Sequence, residues 1–162
     1  MKIEEYLTTL PDSILSGQDV QLPEQALREI FKFSNLNEND IFYHLGCGDG
    51  RGLIIAKEEF NAKKVIGIDN SKTKIDSANK MLKVKNYSNV ELICENIINS
   101  NFDDADIILF WFVDENILET MIPKFSKLKK GTRIITIWGP LPECLPQKVE
   151  FPYIMNQIPF KK

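Results

Sequence analysis

The spacing of apolar side chains switches repeatedly between an extended and a helical period from Pro23 onward. Extended apolar runs that predict strands cover 41–45, 64–68, 90–94, 106–113 and 133–138. Helical spacing fills the stretches between them, and the first helix, opening at Pro23, would bury Ala26, Leu27, Ile30 and Phe31. Strands that alternate with helices predict an α/β fold, a doubly wound and mainly parallel sheet with helices on both faces.

Two later helices have recognisable N-caps. Ser71 is predicted to cap a helix whose inner face carries Ile75, Ala78, Met81 and Leu82, and Asp114 to cap another. The run before Asp114, at 106–113, is apolar on both alternating faces. It is therefore expected to be a central strand, covered by helices on both sides.

The region after Trp138 is rich in proline, with Pro140, Pro142, Pro146, Pro152 and Pro159. Because proline cannot donate to a strand ladder, the extended pieces at 148–151 and 153–158 are expected to be edge strands at best. We therefore expect six strands rather than seven, with a reduced C-terminal antiparallel hairpin.

The chain has 162 residues, of which 43% are hydrophobic and 27% charged, as in a single globular domain. Residues 1–22 lack a clear period and are predicted to form an N-terminal arm or lid, and residues 23–162 the domain itself. The longest uninterrupted apolar run is too short to span a membrane, and acidic residues interrupt the N-terminus. We expect a cytoplasmic protein without membrane association.

The amino-acid composition argues against several kinds of binding site. The net charge of −3 does not indicate a nucleic-acid-binding protein. Three cysteines, Cys47, Cys94 and Cys144, form no C-x-x-C pair and predict neither a disulfide framework nor a structural metal site. The only histidine is His44, which excludes a histidine-rich metal centre.

A glycine-rich loop, Gly46-Cys47-Gly48-Asp49-Gly50, follows the first strand directly and leads into a helix. Glycine lets the backbone turn sharply and approach a ligand, and the helix N-terminus favours an anionic group. Asp69 lies 23 residues after Gly46, at the end of the neighbouring strand, where a carboxylate can accept both ribose hydroxyls. The spacing within one βαβ unit predicts a nucleoside site.

The stretch His44-Leu45-Gly46-Cys47-Gly48-Asp49-Gly50-Arg51 resembles the G-x-G-x-G motif of class I S-adenosylmethionine-dependent methyltransferases, and the resemblance extends over about residues 20–140. It implies a seven-strand, Rossmann-like fold, S-adenosylmethionine as cofactor, S-adenosylhomocysteine as product, and no metal. The cofactor-binding residues that it implies are His44, Gly46, Cys47, Gly48, Gly50, Asp69, Asn70, Glu95, Asn96, Ile97 and Phe110.

Within that class, the size and the stretch 40–64 are most similar to small archaeal Dot1-like protein-lysine methyltransferases, which implies a protein substrate. The chain departs from this pattern in three places. His44 replaces the acid that would face the cofactor ammonium, Leu22-Pro23 replaces a Thr-Pro, and Ile137-Trp138-Gly139-Pro140 replaces a polar end of the fifth strand.

Aromatic side chains are the candidates for an acceptor channel, because an apolar wall favours a neutral amine and tolerates a sulfonium. The candidates are Phe110, Trp111, Phe112 and Trp138. The Asn-Pro-Pro-Tyr signature of nucleic-acid amino methylation is absent there. Two alternatives remain: a module that binds S-adenosylmethionine with weak or lost catalysis, and a nicotinamide-dependent oxidoreductase.

Overall fold

The computed structural model describes residues 21–112, 114–139 and 141–162. The arm or lid predicted for residues 1–22 lies outside these ranges except for Gln21 and Leu22. Within these ranges the helices are α1 (Glu24–Phe33), α2 (Arg51–Phe60), α3 (Lys72–Lys85) and α4 (Glu115–Ser126), with a 3₁₀ turn at Ile97–Asn99. The strands are β1 (Ile41–Leu45), β2 (Lys64–Asp69), β3 (Val90–Cys94), β4 (Ile107–Phe110), β5 (Arg133–Ile137), β6 (Lys148–Glu150) and β7 (Tyr153–Gln157).

One seven-stranded sheet runs through the molecule in the order β3-β2-β1-β4-β5-β7-β6. Strands β1 to β5 are parallel, whereas β7 is antiparallel to β5 and β6 to β7. The predicted doubly wound α/β fold is confirmed. The chain moves outward from β1 to β3 and then returns to place β4 on the other side of β1, which makes the carboxyl ends of β1 and β4 the topological switch point.

The C-terminal hairpin is more complete than the sequence predicted. The sheet has seven strands rather than six, and β7 lies inside it, between β5 and β6. Pro152 and Pro159 flank β7 instead of interrupting it, so its ladder keeps every N–H donor. Tyr153 and Ile154 are buried against the rest of the sheet.

Strand β4 is shorter than the predicted 106–113. It ends at Phe110, opposite Leu45, because β1 turns away into the glycine loop after Leu45. Trp111 and Phe112 therefore leave the sheet, and the rest of the predicted strand, Val113, lies outside the described residues. The segment that follows β4 therefore lies outside the sheet, beside the glycine loop.

The core consists of two apolar layers, one on each face of the sheet. The first includes α1 and α2, with Phe31, Phe42 and Leu53 fully buried, and the second includes α4, with Phe110 and Phe125 fully buried.

Helix α3 lies along β2 and β3 at the sheet edge, so Met81, predicted on its inner face, is 42% exposed. The predicted caps Ser71 and Asp114 are confirmed, since each side chain accepts from backbone N–H groups of its helix. None of the helices in the described ranges is long and apolar enough to cross a membrane.

Candidate functional site at the carboxyl edge of the sheet

A cavity of about 630 Å³ lies at the carboxyl ends of β1 to β4, at the topological switch point. This volume falls within the usual range for small-molecule sites. The predicted cofactor-binding residues that line it are His44, Gly46, Gly48, Asp69, Asn70, Glu95, Asn96 and Ile97. Residues distant in the sequence are thus brought to one wall by the parallel sheet.

The glycine loop forms the floor of this cavity. Gly46, Gly48 and Gly50 have φ values of 81°, 57° and 82°, in the left-handed region that side chains other than glycine rarely adopt. The N–H groups of Gly46 and Cys47 both donate to the carbonyl of Ile68, at 2.7 and 3.1 Å, which ties the loop to the end of β2. Backbone hydrogen bonds within the protein therefore hold the turn in place.

Asp69 supports the loop as well as lining the cavity. Its Oδ2 accepts from the Gly48 N–H at 3.0 Å and its Oδ1 from the Ser71 N–H at 2.9 Å, and only 8% of the residue is exposed. Each carboxylate oxygen has a second lone pair, so Asp69 can still accept from a diol in the cavity. A substitution at this position therefore affects both the loop and the ligand site.

Beyond β3, the chain continues along the same wall through Glu95 and Asn96. The Glu95 N–H donates to the carbonyl of Asp69 at 3.0 Å, and its Oε2 accepts from the Ser100 hydroxyl at 3.1 Å. Asn96 caps the 3₁₀ turn, with Oδ1 accepting from the Ile98 N–H at 3.0 Å. These contacts fix two polar side chains beside the apolar, buried Ile97.

Trp111 and Phe112 line the cavity from opposite faces of the sheet. Trp111 packs against the layer that includes α1 and α2, and Phe112 against the layer that includes α4. The ring of Phe112 stacks on Phe110, with centroids 4.9 Å apart and an interplanar angle of 26°. The two side chains add an aromatic surface to the cavity, and the ring of Phe112 lies beside Gly46.

Four of the predicted site residues do not line the cavity. Cys47 is buried beneath the loop, and burial raises the pKa of its thiol to about 12. Gly50 is the N-cap of α2, and Phe110 is fully buried beneath Phe112. Trp138 is 51% exposed and packs against Phe151 with ring centroids 5.4 Å apart.

Other residues line the cavity although the sequence did not mark them as cofactor ligands: Gln21, Leu22, Leu45, Lys74, Ile98, Asp114 and Ile117. Lys74 sits in the first turn of α3, directly after the loop that follows Asp69, so its place at the carboxyl edge follows from the predicted cap at Ser71. No comparable feature of the sequence predicts that Gln21 lines the cavity, because the path of the chain before α1 depends on tertiary contacts.

His44 is buried at the end of β1, with 8% of its surface exposed, and it lines the cavity. Its Nδ1 is buried and has no hydrogen-bond partner. Burial lowers the pKa of the imidazole to about 4, although Asp69 and Asp49 act in the opposite direction. His44 is therefore neutral at pH 7. Among the residues that the structure describes, no cluster of three His, Cys, Asp or Glu side chains could hold a metal ion.

Comparisons with known proteins agree with this architecture. Residues 36–137 match a family described as a methyltransferase domain. A protein-lysine N-methyltransferase of Saccharolobus islandicus (strain REY15A) is 32% identical over 122 residues, which cover 72% of this chain and 73% of that protein.

Solved structures share the fold at lower identity. An RNA methyltransferase from Salinibacter ruber in complex with S-adenosyl-L-homocysteine superimposes with a TM-score of 0.79 at 21% identity, covering 88% of this chain and 96% of that one. A dimethyladenosine transferase from Plasmodium falciparum gives a TM-score of 0.59 at 22% identity, covering 73% of this chain and 42% of that one. With this fold, this glycine loop and these relatives, the chain belongs to the class I S-adenosylmethionine-dependent methyltransferases.

Proposed function

We propose that the cavity binds S-adenosylmethionine and that the enzyme transfers its methyl group to lysine ε-amino groups of proteins. The observation that carries the proposal is that one cavity joins the Asp69 and glycine-loop wall to the aromatic wall of Trp111 and Phe112. A nucleoside-binding surface and an apolar surface thus share one space, as alignment of a donor and an acceptor requires.

The polar wall fits the proposed cofactor. Asp69 has free lone pairs for the two ribose hydroxyls, and Glu95 and Asn96 offer acceptors and an amide near the adenine end. The loop can follow its tight path along the cavity because Gly46 and Gly48 adopt left-handed backbone conformations. On this reading, the methionine portion lies near the loop and the adenosine near β2 and β3.

When bound, S-adenosylmethionine supplies an electrophilic methyl group on a cationic sulfonium. Methyl transfer to an amine is an in-line displacement that depends on alignment and on exclusion of water rather than on a strong base. Trp111 and Phe112, both partly buried, contribute apolar surface to the cavity and reduce access of water to it. An apolar wall also favours the neutral, nucleophilic form of a lysine amine.

Support for a protein lysine as the acceptor comes from the archaeal relative, which is named for this activity and aligns over most of both chains. Asp114, on the rim of the cavity, adds a carboxylate that attracts a cationic side chain before its proton is lost. The net charge of −3 disfavours nonspecific attraction of RNA.

The experiment is incubation of the purified protein with tritiated S-adenosylmethionine and separate protein and RNA fractions of a host lysate. Label is expected in protein, and tandem mass spectrometry should assign it to lysine. Label confined to RNA would overturn the lysine assignment. Binding of S-adenosylhomocysteine without label in either fraction would favour the alternative of a binding module with lost catalysis. The family assignment leaves no support for a nicotinamide-dependent oxidoreductase, and NAD⁺ serves as the negative ligand.

A further inference from the structure

The orientation of the His44 ring is fixed by its contact with helix α2. Gly52 lies in the first turn of this helix, and a Cβ added there would stand 2.9 Å from His44 Nδ1 and 3.3 Å from Cε1. Only glycine at position 52 leaves room for the ring. Nδ1 and Cε1 face the helix and His44 lines the cavity, so we infer that Nε2 is the ring nitrogen directed towards the cavity.

This contact also determines which ring nitrogen carries the proton. Nδ1 is buried without a partner, and it lies beside the first turn of α2, where the N–H dipoles of the helix favour a lone pair over a second N–H group. A neutral imidazole has one N–H group and one nitrogen lone pair. A buried N–H without a partner costs more free energy than a buried lone pair without one. The proton therefore resides on Nε2, which becomes a hydrogen-bond donor towards the cavity.

The surrounding charges are consistent with a donor at this place. The Asp49 carboxylate beside the loop is paired with the Arg51 guanidinium, with Oδ2 and Nη2 2.8 Å apart. Asp69 uses both of its oxygens to accept backbone N–H groups. The side-chain amide of Gln21 lies directly over Gly48, within 2.8 Å of where a Cβ would stand. A second neutral donor thus reaches the same end of the cavity, next to the N-terminus of α2.

We propose that His44 donates a hydrogen bond from Nε2 to the carboxylate of the amino-acid portion of the ligand, so that this end of the cavity selects a carboxylate rather than an ammonium group. The proposal rests on the proposed function, because it assumes S-adenosylmethionine or S-adenosylhomocysteine in the cavity. An acid at position 44 would accept a hydrogen bond from the ammonium group of the ligand. The proposal gives His44 the opposite role, that of a donor to the ligand carboxylate.

The test is calorimetric titration with S-adenosylhomocysteine and with its decarboxylated analogue, which keeps the amine and the adenosine. The wild-type protein should bind S-adenosylhomocysteine roughly ten- to a hundredfold more tightly, the usual value of a hydrogen bond to a charged group. His44→Gln retains an amide N–H near the position of Nε2 and should keep most of this preference. His44→Asp should lose it, because two carboxylates would then repel each other.

The ratio of the two dissociation constants is a readout that a merely structural role would not change, since a distorted loop weakens both ligands alike. Tighter binding of S-adenosylhomocysteine by His44→Asp than by wild type would overturn the proposal, as would equal binding of both ligands by wild type. Equal binding of both ligands by wild type overturns the proposal even if a variant does not fold, whereas a wild-type preference is assigned to His44 only if His44→Asp loses it. If neither ligand binds wild type at all, the proposed function fails; if both bind without preference, only the role of His44 fails.

Discussion

The ring of Phe112 lies against Gly46, with its Cζ 3.2 Å from the point where a Cβ on Gly46 would stand. This contact joins the segment after β4 to the loop after β1, two parts of the chain that are more than 60 residues apart. The glycine is required here both by its left-handed φ of 81° and by the aromatic ring above it.

Gly46→Ala should therefore destabilise the fold by about 1–3 kcal/mol, because the left-handed backbone and the crowding of Phe112 both oppose a side chain. It should also weaken binding of S-adenosylhomocysteine. Urea denaturation and calorimetry measure the two effects. Gly139→Ala is the matched control, since nothing lies within 4 Å of its added Cβ, and it should change stability by no more than about 0.5 kcal/mol. Equal stability of the two variants would contradict the role of Gly46.

Asp69→Ala should lose both ligand binding and stability, because the carboxylate also accepts the N–H groups of Gly48 and Ser71. Removing the acceptor leaves the buried Gly48 N–H unpaired, at a cost of about 1–3 kcal/mol. Asp69→Asn keeps one carbonyl oxygen and should retain more of the stability while still weakening the binding of S-adenosylhomocysteine. Asp76→Asn, in an exposed ion pair with Lys72 on α3, is the control and should leave binding unchanged. Wild-type affinity in Asp69→Asn would contradict a ligand contact that needs both carboxylate oxygens.

His44 is the only histidine in the chain, so its titration can be followed through stability. Its folded-state pKa of about 4 lies below the ordinary value of about 6.5, because burial disfavours the cation. The groups that face it, Asp69 and the Asp49–Arg51 pair, do not offset this burial. Between these two pKa values the unfolded chain binds more protons, so the free energy of unfolding falls as the pH falls.

The expected loss is about 2 kcal/mol between pH 7 and pH 5. Urea denaturation at pH 7, 6 and 5 measures it, and His44→Gln should flatten the dependence over this interval. Parallel curves for the two proteins would mean that His44 titrates in the fold as it does in the unfolded chain.

The three cysteines should differ in reactivity. Cys94 is exposed, whereas Cys47 and Cys144 are buried, and burial raises the pKa of both buried thiols. Because the thiolate is the reactive form, iodoacetamide at pH 8 should modify Cys94 first in the native protein and Cys47 only after unfolding. Peptide mass mapping over time distinguishes the sites. Equally fast modification of Cys47 and Cys94 would show that the glycine loop opens readily.

Most of the fold could be predicted from local features of the sequence. The period of apolar residues predicted the alternation of strands and helices, and Ser71 and Asp114 were identified as caps because a cap acts through its own next few residues. The glycine loop and Asp69 could be placed together because parallel strands bring their carboxyl ends to one edge. The resemblance to class I methyltransferases added Glu95 and Asn96, and the parallel β3 brings them to the same edge.

The errors occurred where a neighbouring strand decides the outcome. Strand β4 was predicted too long because its end depends on where β1 turns away, and β7 was underestimated because its place between β5 and β6 depends on pairing partners rather than on the nearby prolines. Periodicity within one segment carries no information about the length of the strand beside it.

The sequence by itself determined the α/β fold, the position of the glycine loop and the acid at the end of β2, because each follows from local backbone preferences and from the geometry of a βαβ unit. Only the tertiary structure decided that Trp111 and Phe112 face the cavity while Phe110 is buried and Trp138 lies apart, and that the His44 ring is held against Gly52. These relations depend on how the two apolar layers pack across the sheet, and packing joins residues that no spacing along the chain connects.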